Sequence, residues 1–321
     1  MAMLEVTDLR TYFTTLEGTV QAVDGVTFTV EEGEAMGLAG ESGCGKTTAA
    51  LSIMRLLPSN GYIKTGKIMF NGKNIVTLNA PKLRKTRWKE MSIIFQGAMN
   101  ALNPVKRVGD QITEPIMLHE NVSEAVAIKR TKELFELVGI SPDRINEYPH
   151  EFSGGMRQRV MIAMALACWP KLIIADEPTT ALDVMIQAQI LRLLKNLQKE
   201  LSLGFIMISH DLSVLAETCE KLCIMYAGKI VENGTSIHVF KNPRHPYTRG
   251  LVAAFPNIKG VKFMPEPIPG NPPNLIHPPK GCRFYERCKY KIDSCNETEP
   301  PLFEIEPGHF VACHLVQKGV I

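Results

Sequence analysis

Gly40-Glu41-Ser42-Gly43-Cys44-Gly45-Lys46-Thr47 follows the apolar run Ala35–Ala39 and precedes the helix-forming run Thr48–Leu57. A short strand, a glycine-rich turn and a helix in this order form a phosphate-binding loop. Glycine lets the backbone turn its N–H groups inward around an anion, and the helix start adds the positive end of its dipole. Lys46 then reaches the β- and γ-phosphate oxygens, and the Thr47 hydroxyl can ligate Mg²⁺. The segment Gly40 to Thr48 is therefore the candidate cofactor-binding loop, and the chain is expected to bind a nucleoside triphosphate.

The rest of the chain permits such a protein and excludes several others. Its 321 residues are enough for one large core or for a domain with an extension. A hydrophobic content of 45% and a charged content of 21% are those of a globular chain. The net charge of +3 gives no reason to expect a nucleic-acid partner. No apolar stretch is long enough to span a bilayer. The N-terminus lacks the pattern of a signal peptide, so a reducing cytosol is expected and the cysteines are read as thiols or metal ligands.

The cysteines divide the chain. Cys44, Cys168, Cys219 and Cys223 lie in apolar or helical runs and read as buried thiols, whereas Cys282, Cys288, Cys295 and Cys313 crowd the end, after the proline-rich stretch from Pro265 to Pro279. Residues 1–254 are read as one nucleotide-binding domain and 255–321 as a Pro/Cys-rich extension. Within the first part, Ala35–Ala39, Met91–Phe95, Leu172–Ala175 and Phe205–Ser209 read as buried parallel strands. Ser123–Val138, capped by Ser123 and ended by Gly139, and Val184–Leu201 after Asp183 read as helices. Leu4–Phe13 and Val20–Val30 read as antiparallel strands around Glu17-Gly18. The region from about 97 to 165 carries mostly helical patterns and no convincing strand, and reads as a helical insertion. This is an α/β fold with an antiparallel β subdomain, a helical insertion and a Cys-rich tail.

Leu172-Ile173-Ile174-Ala175-Asp176-Glu177 is an apolar strand that ends in two carboxylates. Asp176 at the strand terminus is placed to hold Mg²⁺, and Glu177 to polarise an attacking water as general base. Phe152-Ser153-Gly154-Gly155-Met156-Arg157-Gln158-Arg159 supplies a second glycine-containing helix start. Gln96 follows one strand, Ala181-Leu182-Asp183 follows the paired carboxylates, and Ile208-Ser209-His210-Asp211 ends another strand.

In order and spacing these elements resemble the ABC ATPases, from residue 3 to about 240. The resemblance implies a P-loop, RecA-like core and a head-to-tail dimer in which Ser153, Gly154 and Gly155 cap the γ-phosphate on the opposite subunit. It implies that Gln96 touches metal and water, that His210 contacts the γ-phosphate and orients Glu177, and that Asp183 meets the opposite P-loop. It also implies an aromatic side chain stacked on adenine, assigned to Phe13, with the neighbouring Tyr12 as the alternative. Phe152 and Met156 depart from the general signature, which puts the ribose contact in doubt and leaves the backbone contacts untouched.

Asn242-Pro243-Arg244-His245-Pro246-Tyr247-Thr248-Arg249-Gly250-Leu251, and the prolines and cysteines to about Pro301, resemble the extension of dipeptide and oligopeptide importer ATPases, a group that includes some nickel importers. The Phe-Ser-Gly-Gly-Met signature is common there. Four converging thiolates at Cys282-x5-Cys288-x6-Cys295-x17-Cys313 can hold an iron–sulfur cluster or zinc, or remain thiols. Structural zinc usually uses a close pair, about two to four residues apart, which this spacing lacks. The resemblance implies a [4Fe–4S] centre, with a structural staple as its simplest role. Arg283, Arg287, Lys289 and Lys291 flank the cysteines and read as surface residues, or as an offset to cluster charge.

The expected function is the ATP-hydrolysing subunit of a peptide importer, peripheral at the cytoplasmic face of the membrane. Its expected partners are permease subunits, a second ABC ATPase subunit (a paralogue favoured over an identical copy), and indirectly an external binding protein. The competing class is a soluble ABC ATPase of translation or DNA repair. Those proteins carry tandem ABC domains or a long coiled coil, neither of which is found here.

Overall fold

The computed structural model describes residues 2–97, 101–254 and 268–321. Elements are numbered in chain order among them. The chain divides into two compact units, one of residues 30–35 and 77–208, the other of residues 2–29, 36–76 and 209–321. The expected boundary at 254/255, like Pro265 to Pro267, borders or falls on residues outside the described set. The described part of the tail clusters with the second unit.

In the first unit, strands β6 (Met91–Ile94), β7 (Leu172–Asp176) and β8 (Gly204–Ser209) lie parallel in the order β8-β7-β6. The registers Leu172↔Gly204 and Met91↔Leu172 fix their pairing. Every residue of β7 and β8 is buried, as a strand covered on both faces requires, which is why these segments read as unbroken apolar runs.

The other described elements of this unit are helical. They include α2 (Ala80–Thr86), α3 (Val108–Glu120), α4 (Glu124–Leu137), α5 (Gly154–Leu166) and α6 (Val184–Glu200). Described residues from 101 to 171 contain no strand, as the sequence predicts. Ser123 stands at the N-cap of α4 but makes no side-chain cap bond, so only its extended backbone starts the helix. Asp183 does cap α6, accepting from the Ile186 N–H at 3.0 Å. Ile190, Leu191, Leu194 and Leu197 give α6 its buried stripe at helical spacing.

In the second unit, β1 (Leu4–Thr15), β2 (Gly18–Val30), β4 (Gly61–Phe70) and β5 (Lys73–Asn74) form a sheet in the order β2-β1-β4-β5. β1 runs antiparallel to β4 from Leu4↔Phe70 to Phe13↔Gly61. In the same unit, β3 (Ala35–Ala39) pairs parallel with β9 (Lys221–Tyr226), and α1 (Lys46–Met54) follows β3. β9 turns back as β10 (Lys229–Thr235) through Ala227 and Gly228, both at positive φ, the twist a tight hairpin needs. Helices α7 (Leu212–Thr218), α8 (Ser236–Lys241) and α9 (Pro246–Ala253) complete this part.

The described part of the tail contains two strands. β11 (Phe303–Glu306) and β12 (His309–Val311) form a hairpin, and β12 pairs antiparallel with β10 through Glu232↔Val311 and Asn233↔Phe310. The short helices α10 (Ser294–Glu297) and α11 (His314–Gln317) flank them. Val311, Cys313 and Leu315 pack with Ile292, Ile305, Val316 and Ile321 into a small core.

Candidate ATP-binding site and Cys-rich extension

The loop between β3 and α1 is built so that side chains stay out of it. Gly40 and Gly45 have φ of 147° and 106°, and a Cβ there would lie 2.1 Å from the Met225 carbonyl oxygen and 2.3 Å from that of Ala22. Only glycine satisfies both constraints. Gly45 is also the N-cap of α1 and has no side chain to accept the first-turn N–H groups. Most helices satisfy these donors with a Ser, Thr, Asp or Asn cap worth about 1 kcal/mol; here Lys46, Thr47 and Thr48 present them to a ligand.

Lys46 is buried, and its ammonium donates to the carbonyls of Gly40 at 2.7 Å and Glu41 at 3.0 Å, inside the loop. The Cys44 thiol lies 3.6 Å from it, with burial raising the thiol above its usual range. Ser42, Gly43 and Thr47 are exposed. A cation at the loop's centre, a bare helix start and an exposed hydroxyl together suit a phosphate with its metal ion.

In this second unit the structure also distinguishes the two aromatic candidates. Tyr12 is 5% exposed, and its hydroxyl donates to Asp24 Oδ1 at 2.9 Å. Phe13 is only partly buried, lying against Gly61. His210 is exposed just after β8, where the chain turns into α7 with Asp211 as its cap.

In the first unit, Asp176 ends β7 with 3% exposure. Glu177 follows at φ 46°, a left-handed conformation that takes the chain out of the strand, and its N–H donates to Ile208 O at 2.9 Å. The Glu177 carboxylate accepts from the Gln96 amide at 2.8 Å and from the Thr180 hydroxyl at 3.0 Å. Ser153 caps α5 through the Met156 N–H at 3.4 Å. Gly155 sits where a Cβ would be 2.6 Å from Ile186 Cγ2, so the signature helix and α6 pack through the missing side chain. The structure thus groups Gln96, Asp176, Glu177, Ser153, Gly154, Gly155 and Asp183 in one unit, and Phe13, the P-loop and His210 in the other.

Sequence reasoning missed how the tail meets the P-loop. Arg283 and Arg287 are 8% exposed and are not surface residues. Arg283 pairs with Asp24, which also takes Arg10, Lys229 and the Tyr12 hydroxyl. Burial opposes the charge on Asp24, but Lys229, Tyr12 and Arg283 hold its carboxyl below the usual value. Arg287 pairs with Glu41 of the P-loop, as does Tyr247 of the His-Pro-Tyr run. Lys289 and Lys291 lie over the rings of Tyr290 and Tyr285.

Cys282, Cys288, Cys295 and Cys313 line one recess. Backbone N–H groups of Phe284, of Tyr290, and of Leu315 with Val316 point at the sulfurs of Cys282, Cys288 and Cys313. Burial pushes Cys282 up to about 12 and raises Cys288 and Cys313 as well. The remaining four cysteines, Cys44, Cys168, Cys219 and Cys223, are buried free thiols, as expected.

Comparison with known proteins agrees with this geometry. Residues 23–180 match the ABC transporter family, and residues 231–295 match the oligopeptide/dipeptide transporter C-terminal region. The chain is 50% identical over 319 residues to the oligopeptide transport ATP-binding protein OppD of Bacillus subtilis, covering 98% of this chain and 89% of that one. It is 48% identical to OppD of Escherichia coli, with 97% and 93% covered, and 45% identical to the dipeptide transport protein DppD of Bacillus subtilis, with 98% and 94% covered. Among solved structures, the dimeric ABC transporter cassette MJ0796 is similar at a TM-score of 0.66 and 27% identity, over 73% of this chain and 99% of that one. A post-hydrolysis form of that cassette, bound to ADP and Pi, is similar to the same degree at 26% identity. The chain belongs to the ABC transporter family, in the branch that carries the oligopeptide/dipeptide transporter C-terminal region.

Proposed function

We propose that the chain hydrolyses ATP to drive a permease that imports oligopeptides or dipeptides, working from the cytoplasmic face of the membrane. The observation that carries this reading is the Glu177 carboxylate at the end of β7, oriented by Gln96 and Thr180. The relatives named for oligopeptide and dipeptide transport support the cargo class over a role in translation or DNA repair. Among the described residues no helix is long and apolar enough to cross a membrane, which fits a subunit that works through a separate permease.

The residues divide the work. Gly40 to Thr48 bind the phosphates; Thr47, Asp176 and Gln96 hold Mg²⁺, which supplies charge neutralisation when bound. Phe13 is the adenine contact, since the Tyr12 ring is buried and its hydroxyl engaged. Glu177 accepts the proton of the attacking water, and His210 contacts the γ-phosphate. Ser153, Gly154 and Gly155 act on the nucleotide of a second ATPase subunit, a paralogue in this reading, and Asp183 meets the P-loop of that subunit. Donors placed before charge develops lower the barrier without reorganisation.

Cys282, Cys288, Cys295 and Cys313 are the proposed [4Fe–4S] ligands. N–H groups aimed at the sulfurs suit thiolates that carry a cluster. Structural zinc would favour a close cysteine pair, about two to four residues apart, which Cys282, Cys288, Cys295 and Cys313 do not offer.

The deciding experiment is Glu177→Gln, with ATP binding and turnover measured on the same preparation. Binding should be retained while hydrolysis falls about 10²–10⁴-fold. Near-normal turnover would remove Glu177 from the mechanism.

A further inference from the structure

Tyr247 and Arg287, both from the C-terminal part of the chain, close on one P-loop residue. The Glu41 N–H donates to the Tyr247 hydroxyl at 2.9 Å. The Glu41 carboxylate accepts Arg287 Nη1 on Oε2 at 2.6 Å and Nη2 on Oε1 at 2.9 Å. A bidentate pair fixes orientation as well as distance.

The guanidinium is itself held. Its Nε donates to Pro269 O at 2.7 Å, and it lies over the rings of Tyr226 and Phe284 at 5.6 and 6.0 Å. The Arg287 side chain is 6% exposed, and a cation this buried is tolerated only while paired. Tyr247 is fully buried, 4.6 Å from the Tyr226 ring and 5.4 Å from Phe284. Both anchors are therefore stiff. Glu41 passes that stiffness on, because its carbonyl accepts from the Lys46 ammonium at 3.0 Å and from the Cys44 N–H at 3.2 Å.

We infer that Tyr247 and Arg287 are positioning residues for ATP binding. They hold Glu41, and through its carbonyl Lys46 and the turn at Cys44, in the conformation that receives the phosphates. The inference rests on the P-loop reading above. It gives the His-Pro-Tyr run and the arginine before Cys288 a task that neither the cysteines nor the catalytic carboxylate performs.

The test is equilibrium ATP binding and steady-state hydrolysis of the full chain, with thermal unfolding recorded for each variant. Arg287→Ala should raise the ATP Kd and KM about five- to tenfold, with a smaller change in kcat. Arg287→Lys, a point charge without the fork, should fall between that variant and wild type. Arg287→Ala combined with Glu41→Gln should be no worse than Arg287→Ala alone, since the two act as a pair. Tyr247→Phe removes only a hydroxyl and should raise Kd about two- to threefold, which keeps the test alive if Arg287→Ala does not fold. Lys46→Ala separates the two ideas. If it abolishes ATP binding while the Arg287 and Tyr247 variants bind like wild type, with or without a lower Tm, the positioning role is wrong and the P-loop reading stands. If Lys46→Ala itself binds ATP normally, both fall.

Discussion

The Gln96 side-chain amide and the Glu177 carboxylate are 2.8 Å apart, one at the end of β6 and the other at the end of β7. Neighbouring parallel strands deliver both residues to the same edge, with Ile94 opposite Ala175 in the register. The bond selects one orientation of a carboxylate whose backbone already sits in a left-handed conformation.

Loss of that bond should appear as lost turnover. Gln96→Ala is expected to lower kcat about ten- to hundredfold while ATP affinity changes less than threefold. Single-turnover hydrolysis on the purified chain measures it, and a kcat within a factor of two of wild type would show that Gln96 does not orient the base.

Gly155 should tolerate no side chain. Gly155→Val places new atoms against Ile186, and overpacking of this kind costs about 1–3 kcal/mol. Thermal unfolding should drop by several degrees, and Ile186→Ala in the same background should recover part of the loss. Equal melting temperatures with and without Gly155→Val would mean that α5 and α6 move apart freely.

His245 should make the protein acid-sensitive. Its Nδ1 accepts the Tyr247 N–H at 3.1 Å, which requires a neutral ring, and burial lowers its pKa to about 4. Between about pH 6.5 and 4 the unfolded chain takes up a proton that the folded chain refuses. The contribution is intact above that window and is lost as pH falls through it, by up to about 3 kcal/mol. His245→Asn keeps an N-cap acceptor without titrating, so urea unfolding at several pH values should show a flatter dependence than wild type. Parallel dependences would assign the acid sensitivity to other groups.

Metal content decides the nature of the tail. Anaerobically purified protein should contain about four irons and four acid-labile sulfides per chain, lost in Cys288→Ser. One zinc without sulfide would replace the cluster by a simple structural ion.

The nucleotide chemistry was readable because each element is a short contiguous run whose residue types serve one task. Gly40 to Lys46 and Leu172 to Glu177 are examples. The strands at 35–39, 172–176 and 204–209 were legible for a related reason, since burial on both faces leaves uninterrupted apolar runs. Long-range polar pairs carry no such local mark. Nothing near Arg287 in sequence announces Glu41, and proximity to Cys288 suggested another use for its charge. The β11–β12 hairpin did leave a trace, because Phe303-Glu304-Ile305-Glu306 alternates before Pro307-Gly308, but four residues among prolines are a weak signal. Ser123 shows the opposite case, a capping residue in the right place whose side chain does not cap.

The Arg287–Glu41 pair spans 246 residues of sequence. During synthesis, the P-loop leaves the ribosome well before its arginine partner. A loop so long closes late and at an entropic cost, so the clamp on Glu41 forms only after residue 287 has emerged. Nascent chains that stop short of residue 287 would carry every P-loop residue and still lack the clamp on Glu41.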